Sequence, residues 1–236
     1  MEKTDTPEQL LANLVALSDA YITGRPAVPC QVHIQLTPPQ TAPAGATPDS
    51  IAAKIAACAR CQLCQTRTNT VPGMGVPHPV VLVIGEGPGQ EEDLQGLPFV
   101  GPAGQLLDKM LASISLSRTT NTYIANIVKC RPPHNRDPQP EEAAACRSYL
   151  DAQISVLKPK LILCMGRIAA QHMLDTPQGI NRLRGQWFQY RDIPLMATYH
   201  PSALLRDQEL KRPAWEDLKL FRQRLAPYLQ DTDAVR

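Results

Sequence analysis

The stretch PVVLVIG, from Pro79 to Gly85, is a continuous apolar run that leads into the glycine-rich turn GEGPG at Gly85–Gly89. An uninterrupted apolar run of this length is typical of a parallel strand that is buried on both faces. Three further segments are also predicted to be strands: TYIANIV at Thr122–Val128, KLILCMG at Lys160–Gly166 and IPLMATY at Ile193–Tyr199. Helical segments separate these runs, so the sequence predicts an α/β fold in which helices cover a parallel sheet.

The helical segments carry recognisable start signals. TPDSIAAKIAACARC begins with a capping Thr or Asp and continues as a helix that delivers Cys58 and Cys61. The segment Pro140–Leu157 begins with Pro and two Glu residues, which suit the first turn of a helix. GPAGQLLDKMLASISL, GRIAAQHML and most of Gln208–Leu229 are also predicted to be helical.

Residues 1–48 differ from the rest of the chain. Pro7–Gly24 has apolar residues at helical spacing, and Arg25–Pro48 carries six prolines with little periodicity, as a linker would. We therefore divide the chain into an N-terminal helix and Pro-rich linker at residues 1–48 and a globular domain at residues 49–236. The N-terminal helix either packs on the domain or docks a protein partner.

The composition gives two further expectations. The formal net charge of +2 provides no global basic field, and the two basic stretches, at 129–136 and 181–191, are either solvated loops or local contacts to nucleic acid. The N-terminus shows no signal-peptide pattern, and no apolar run approaches the ~20 residues of a membrane span. We expect a soluble, cytoplasmic protein, where seven cysteines favour ligands and buried thiols over disulfides.

Polar side chains follow three of the predicted strands. Glu86 follows the first strand, Asn126 closes the second, and His200 follows the fourth. Because the carboxyl ends of parallel strands share one edge of the sheet, these side chains are expected to meet in one crevice. GEGPG does not complete a dinucleotide fingerprint, because Gln90 stands where the third glycine is needed and Pro88 removes an amide donor.

Four cysteines form the second unusual set. Cys58 and Cys61 have C-x-x-C spacing, and Cys130 and Cys146 lie far along the chain. A shared metal or cluster would tie these distant segments together. Zinc is the rival occupant, but paired C-x-x-C knuckles are usual for zinc, so the spacing favours an iron–sulfur cluster.

Five motifs together resemble the family-4 uracil-DNA glycosylases over roughly residues 50–225. They are C-x-x-C-x-L with Arg67, GEGPGQEED (85–93), G-x-PFVG-x-AG-x-LLD (96–108), N-x-VKCRPP-x-NR-x-P (126–138) and YHPS (199–202). The resemblance implies a three-layer α/β/α fold with a central four-stranded, mainly parallel sheet. It also implies removal of uracil from DNA during base excision repair. It further implies a [4Fe–4S] cluster held by Cys58, Cys61, Cys130 and Cys146, while Cys64 creates a second C-x-x-C and stays open as a ligand.

The resemblance assigns roles in the pocket. Phe99 would be the aromatic platform for the flipped base, Asn126 would read the pyrimidine edge and the amide of Gly87 would hold another uracil oxygen. Glu92 resembles the position that walls the pocket against the methyl group of thymine. His200 would donate to uracil O2 as negative charge develops there.

Further roles concern water and DNA. Glu86 would stabilise the sugar cation or orient and deprotonate water. The cluster is expected to be structural and to help form a DNA-facing loop at 129–136, with Lys129, Arg131 and Arg136 near phosphate. Leu204 would either wedge into the base stack or pack within its helix, and Arg206 would meet phosphate.

Several alternatives remain at this stage. The chain lacks the inserted basic loop through which a related branch traps uracil covalently, so we expect turnover and a free abasic product. Another branch accepts other deaminated bases. Outside enzymology, an iron–sulfur redox or sensing module would explain the cysteines but would leave Glu86, Phe99, Asn126 and His200 without a role. A nucleic-acid-binding module without glycosylase activity is another alternative, and the incomplete glycine pattern disfavours a nucleotide-binding module. A monomer is expected, because one flipped base needs one pocket.

Overall fold

The computed structural model describes residues 45–233, with side chains described as far as Leu229. A six-stranded sheet runs through the described domain in the order β1-β3-β2-β4-β6-β5. The strands are β1 (Met74–Gly75), β2 (Val81–Gly85), β3 (Thr122–Asn126), β4 (Leu161–Met165), β5 (Trp187–Tyr190) and β6 (Ile193–Thr198). The four middle strands β3, β2, β4 and β6 are mutually parallel, and β1 and β5 join the two edges antiparallel.

Eight α-helices flank the sheet in the described part of the chain. They are α1 (Pro48–Ala56), α2 (Gln90–Gln95), α3 (Pro102–Ala112), α4 (Pro140–Leu157), α5 (Arg167–Leu174), α6 (Ile180–Leu183), α7 (Pro201–Arg206) and α8 (Lys211–Asp233). Short 3-10 turns lie at Gln62–Gln65, Pro133–Asn135 and Gln208–Leu210. No helix within residues 45–233 is long and apolar enough to cross a membrane.

The predicted α/β class is confirmed, and the strand count of four is corrected to six. The four predicted strands are the parallel middle of the sheet. The two additional strands, β1 and β5, lie at the two edges of the sheet. Their sequences give only weak signals for β-structure. β1 has two residues, one of them glycine, and β5 is joined to β6 by a tight turn in which Arg191 has φ 54°. Tight turns of this kind usually contain Asn-Gly or Asp-Gly, and this one contains Arg191-Asp192 instead.

Helices pack on both faces of the sheet because the middle strands are apolar on both faces. Along β2, Val81 and Val83 contact one core, and Leu82 and Ile84 contact the other. The first core is completed by α3 and α8, and the second by α4 and α5. This period of two along a fully buried strand produces the predicted three-layer α/β/α arrangement.

The helix starts follow the predicted signals. Thr47 caps α1, since its side chain accepts the Ser50 amide N–H at 3.1 Å and its own amide donates to the Ser50 hydroxyl at 2.9 Å. This is a reciprocal capping pair. Pro140 begins α4, with Glu141 and Glu142 in its first turn. The cap of α1 fixes where that helix begins, and the helix ends at Ala56, two residues before Cys58.

The second basic stretch, at 181–191, belongs to the fold. Arg184 binds Asp217 of α8 at 2.7 Å, and Asp217 also accepts the hydroxyl of Thr198 at 2.7 Å. Arg191 pairs with Asp151 of α4 at 3.2 Å. These two cations therefore stabilise packing between elements. The predicted helix at Pro7–Gly24 and the linker up to residue 44 lie outside the described residues.

The ladder between β2 and β3 continues past the strand ends. Gly85 lies opposite Asn126, the Ile127 amide donates to the Gly85 carbonyl at 3.0 Å, and the Val128 amide donates to the Glu86 carbonyl at 3.1 Å. The GEGPG turn is therefore fixed beside the segment that follows β3. Since the chain crosses from β3 over β2 to β4, this edge is the switch point of the sheet, where ligands bind in such folds.

Candidate functional site

A cavity of about 370 Å³ lies at the carboxyl edge of the sheet. It brings together eight of the residues that the sequence singled out, from four separate segments of the chain. They are Glu86, Gly87, Glu92, Phe99, Asn126, Arg136, His200 and Arg206. The volume is in the range of small-molecule sites, and the lining mixes one aromatic ring with several polar groups.

Asn126 presents an unpaired carboxamide oxygen in this cavity. Its side chain is 1% exposed, and its Oδ1 atom has no hydrogen-bond partner among the described residues. Leaving a buried acceptor unpaired costs about 1–3 kcal/mol. An unsatisfied group at the lining of a cavity is what a site built to receive a ligand donor requires.

Gly85 creates the space for this arrangement. A Cβ atom on Gly85 would lie 2.4 Å from Asn126 Oδ1 and 2.6 Å from Phe99 Cζ. Those separations are well below van der Waals contact, so a side chain at this position would collide with both groups. The Asn126 carboxamide and the Phe99 ring can therefore share the cavity wall because the strand opposite them ends in glycine.

Phe99 is held in a strained backbone conformation. Its φ of 53° is unusual for a bulky residue. Arg118 donates from one guanidinium nitrogen to the Pro98 carbonyl and from another to the Phe99 carbonyl, both at 3.0 Å. Arg118 also pairs with Asp108 at 2.7 Å. Sequence reasoning missed Arg118, because nothing local to it marks a contact with a loop some twenty residues earlier.

Glu92 joins two loops of the cavity. Its Oε1 atom accepts the amides of Val100 and Gly101 at 2.9 and 3.1 Å, and its Oε2 atom accepts the amide of Gly89 at 3.1 Å. Hydrogen bonds to a charged acceptor are stronger than neutral ones. Glu92 thus fixes the Phe99 loop against the GEGPG turn. Its predicted role against a thymine methyl group stays a prediction.

His200 is the N-cap of α7 and is oriented by Ser202. The Ser202 amide donates to His200 Nδ1 at 3.2 Å, and the Ser202 hydroxyl lies 2.8 Å from the same atom. Burial and, to a smaller extent, the nearby Arg206 lower the pKa of His200 to about 4, although Glu92 opposes this shift. The imidazole is therefore neutral at pH 7. Since Nδ1 accepts a hydrogen bond, the ring proton belongs on Nε2.

The His200 ring also lies beside the Phe99 ring. The centroids of the Phe99 and His200 rings are 5.5 Å apart, and their planes are tilted by 32°. Ser202 belongs to the YHPS motif, but no role could be assigned to it from the sequence. The structure provides one, as the group that sets the His200 tautomer.

Glu86 lies at the same edge and is partly withdrawn from water. Burial and, to a smaller extent, the nearby Asp137 raise the pKa of Glu86 to about 7, although Arg167 opposes this shift. Arg167 pairs with Asp137 at 2.6 Å, at the start of α5. Sequence reasoning missed this exposed ion pair. A carboxyl group with such a pKa can change its protonation state near neutral pH.

The cysteines line a second, separate cavity. Cys58, Cys61, Cys64, Cys130 and Cys146 all contribute to its wall, together with Arg67 and Lys129. Arg67 donates to Cys130 Sγ at 3.1 Å and to the Cys58 carbonyl at 2.8 Å. Burial raises the pKa of the Cys130 thiol to about 11, although Arg67 opposes this shift.

Cys164 is fully buried in β4, as predicted for a core thiol, and Cys30 lies outside the described residues. Within residues 45–229, no group of three or more His, Cys, Asp or Glu side chains forms a site for one metal ion.

Comparison with known proteins identifies the family. The model of the uracil DNA glycosylase superfamily matches residues 72–219. A type-4 uracil-DNA glycosylase of Archaeoglobus fulgidus is 42% identical over 179 residues, which cover 72% of this chain and 89% of that protein. The chain belongs to the type-4 uracil-DNA glycosylase family.

Two other relatives give the same result. Type-4 uracil-DNA glycosylases of Sulfurisphaera tokodaii and Thermotoga maritima are 39% and 41% identical to this chain. The alignments cover 74% and 72% of this chain and 83% and 90% of the relatives. The shared region therefore includes nearly the whole length of each relative.

Two residues that were candidates for DNA contact in this type-4 glycosylase, Lys129 and Leu204, are buried. Lys129 is 1% exposed, and its ammonium group binds groups inside the protein, so it cannot meet phosphate. Leu204 is 2% exposed and packs in the core with α3 and α8, so it is a packing residue. The adjacent Leu205 is 44% exposed. Spacing from His200 could not distinguish two neighbouring leucines that point in different directions on a helix.

Of the three arginines that were predicted to contact DNA, two line the cavity and the third does not. Arg136 and Arg206 line the cavity, although Arg136 also binds Glu142 through two nitrogens at 2.8 and 2.7 Å. Arg131 donates to Asn135 Oδ1 at 2.8 Å and does not line the cavity itself. Their contact with DNA stays a prediction.

The glycine at the end of β2 provides a test of the geometry of this glycosylase. We predict that Gly85→Ala weakens binding of free uracil about 100-fold or more, because Cβ must displace the carboxamide or the ring by a large fraction of an ångström. Calorimetric titration with uracil measures the effect. The control is Gly179→Ala, since a Cβ atom there meets nothing within 4 Å. Equal affinity in both variants would refute the assignment of the cavity.

Proposed function

We propose that this chain removes uracil from DNA by hydrolysing the bond between the base and deoxyribose, which leaves an abasic site for base excision repair. The unpaired Asn126 carboxamide oxygen beside Phe99 is the observation that carries the proposal. The type-4 uracil-DNA glycosylases that resemble this chain support the reaction. The base must leave the stack, or be found in single-stranded DNA, to enter such a cavity.

Asn126 reads the base in this proposal. Its Oδ1 atom accepts from uracil N3–H, its Nδ2 atom donates to uracil O4, and the amide of Gly87 holds another uracil oxygen. Cytosine presents the opposite pattern on the same edge and would leave buried groups unpaired at a cost of about 1–3 kcal/mol each. Phe99 stacks on the face of the ring, and Glu92 occupies the wall beside the position of a thymine methyl group.

His200 and Glu86 act on the bond that breaks. The electron pair of the glycosidic bond moves to the uracil ring, and His200 donates its Nε2–H to uracil O2 as negative charge develops there. A neutral donor already in place needs no reorganisation during the reaction. Glu86 as a carboxylate stabilises the sugar cation or takes a proton from the water that attacks the sugar.

We propose DNA contacts from a corrected set of residues. Arg136 and Arg206 lie at the cavity, and Arg131 lies on the loop beside it, where they can meet phosphate. Leu205, rather than Leu204, has an exposed side chain that can enter the base stack. The substrate is uracil-containing DNA, single- or double-stranded, and one pocket per chain suits a monomer acting in the cytoplasm.

Cys58, Cys61, Cys130 and Cys146 are proposed to hold a [4Fe–4S] cluster. The wall of their cavity fits such a group, because it offers thiols as the donor set and two cations, Arg67 and Lys129, to balance thiolate charge. When bound, the cluster supplies structural cross-linking of distant segments and takes no part in bond cleavage. Zinc is the rival occupant, and Cys64 is the rival ligand.

The base-reading role is tested by removing the carboxamide. Single-turnover excision on a uracil oligonucleotide is predicted to fall about 100- to 1,000-fold in Asn126→Ala and in His200→Ala, because each variant loses a preorganised contact to the departing base. The control is Asn181→Ala, which loses only an acceptor for the Tyr199 hydroxyl. Undiminished excision by Asn126→Ala in a folded protein would refute the proposal. Intact iron without any excision in the wild-type protein would favour a sensing or binding module.

The protonation state of Glu86 gives a pH test. Its pKa is raised to about 7, so the reactive carboxylate disappears as the pH falls below that value. We predict that kcat/KM falls about tenfold per pH unit between about pH 6.5 and pH 5, with no second limb from His200 until its pKa near 4. Glu86→Gln should be slow at every pH and should lack this limb. A flat wild-type profile from about pH 5 to pH 8 would contradict the role of Glu86.

The cofactor is tested by counting iron and sulfide. We predict about four iron atoms per chain in the wild-type protein, loss of iron and of brown colour in Cys130→Ser, and retention of both in Cys64→Ser. The two variants make the same chemical change in the same cavity. Iron loss in Cys64→Ser would replace the proposed ligand set, and stoichiometric zinc without iron would refute the cluster.

A further inference from the structure

Lys129 is a fully buried cation that the proposed reaction does not use. Its side chain is 1% exposed, and no ion pair joins it to a carboxylate in the described part of the chain. Burying an ammonium group without a counter-ion costs several kcal/mol. Something near Lys129 must therefore offset this cost when the protein is complete.

The ammonium group binds two neutral acceptors. Nζ donates to the main-chain carbonyl of Asn126 at 2.8 Å and to Gln153 Oε1 at 2.7 Å. Gln153 in turn donates through Nε2 to the Pro72 carbonyl at 2.7 Å. The Lys129 carbonyl accepts the Val71 amide at 2.8 Å. The end of β3, helix α4 and the segment after the first cysteines therefore meet at this one side chain.

Lys129 also lies beside the cysteines. Lys129 lines the cysteine cavity together with Cys130 and Cys146, and it directly precedes Cys130 in the chain. Four thiolates around an iron–sulfur core leave the whole group negative, and hydrogen bonds and charges near the sulfurs set its reduction potential. A negative cluster in this cavity would be the counter-ion that the ammonium group lacks.

We propose that Lys129 is a positioning residue that links the two cavities: it balances the charge of the cluster on one side and fixes the main chain of Asn126 on the other. The inference rests on the proposed cofactor. The Asn126 carbonyl that Nζ holds belongs to the same residue whose carboxamide reads the base. Loss of the ammonium group would leave the main chain of Asn126 less firmly held, and its carboxamide would bind the base less well. Loss of the cluster would remove the counter-ion that keeps the ammonium group in place.

The test compares Lys129→Met with Arg67→Met in the iron-loaded protein. Both variants remove a cation that lines the cysteine cavity, and within residues 45–229 the hydrogen bonds of the Arg67 side chain go to Cys130, Cys58 and Ala56. We expect the cluster potential to become more negative in both, because a nearby positive charge favours the reduced, more negative cluster. We expect the dissociation constant of free uracil to rise about tenfold or more in Lys129→Met alone.

The outcomes separate the inference from the cofactor proposal. Wild-type protein without iron would refute the cofactor. Iron-loaded Lys129→Met with unchanged potential, or with unchanged uracil affinity, would overturn the link while leaving the cofactor intact. Arg67→Met with equally weakened uracil binding would also overturn it, because loss of charge alone would then explain the effect.

A measurement on the wild-type protein avoids dependence on the folding of Lys129→Met. Among the described lysines, Lys129 is the only buried one, so its ammonium protons should exchange slowly enough to give a lysine ¹⁵N signal. We expect this signal to shift when free uracil is added and to broaden when the cluster is reduced. A signal that responds to neither addition would overturn the proposal.

Discussion

The pairing of Gly85 with Asn126 is the constraint on which the rest of the site depends. Because β2 and β3 are parallel and in this register, the GEGPG turn and the segment after Asn126 leave the sheet side by side. Glycine at the end of β2 leaves room for the carboxamide and the Phe99 ring in the same wall. A register shift of one residue would turn Asn126 to the other face of the sheet.

Five consecutive residues connect this pairing to both cavities. Asn126 lines the cavity at the carboxyl edge of the sheet, called the base cavity from here on. Lys129 and Cys130 line the cysteine cavity. The short segment cannot move at one end without affecting the other, because Lys129 binds back to the Asn126 carbonyl. A cluster held in the cysteine cavity would therefore affect recognition of the base without taking part in the chemistry.

Much of the fold and the membership of the base cavity could be predicted from sequence, because both follow from strand periodicity and strand ends. β2 is apolar throughout, β3 is buried along its whole length, and the polar residues at or after their ends mark the ligand edge. Side-chain direction could not be predicted. Lys129 is buried and Leu205 exposed because tertiary packing decides which way each points. The hydrogen bond from Arg118 to the Phe99 carbonyl could not be predicted either, since it joins segments that are distant in sequence.

A crystal structure of the protein soaked with free uracil would test the central claim most directly. The account predicts that the ring lies on Phe99, with uracil N3 within about 3 Å of Asn126 Oδ1 and O2 facing His200 Nε2. An ordered uracil bound elsewhere, or one in this cavity with Asn126 Oδ1 still unpaired, would contradict it.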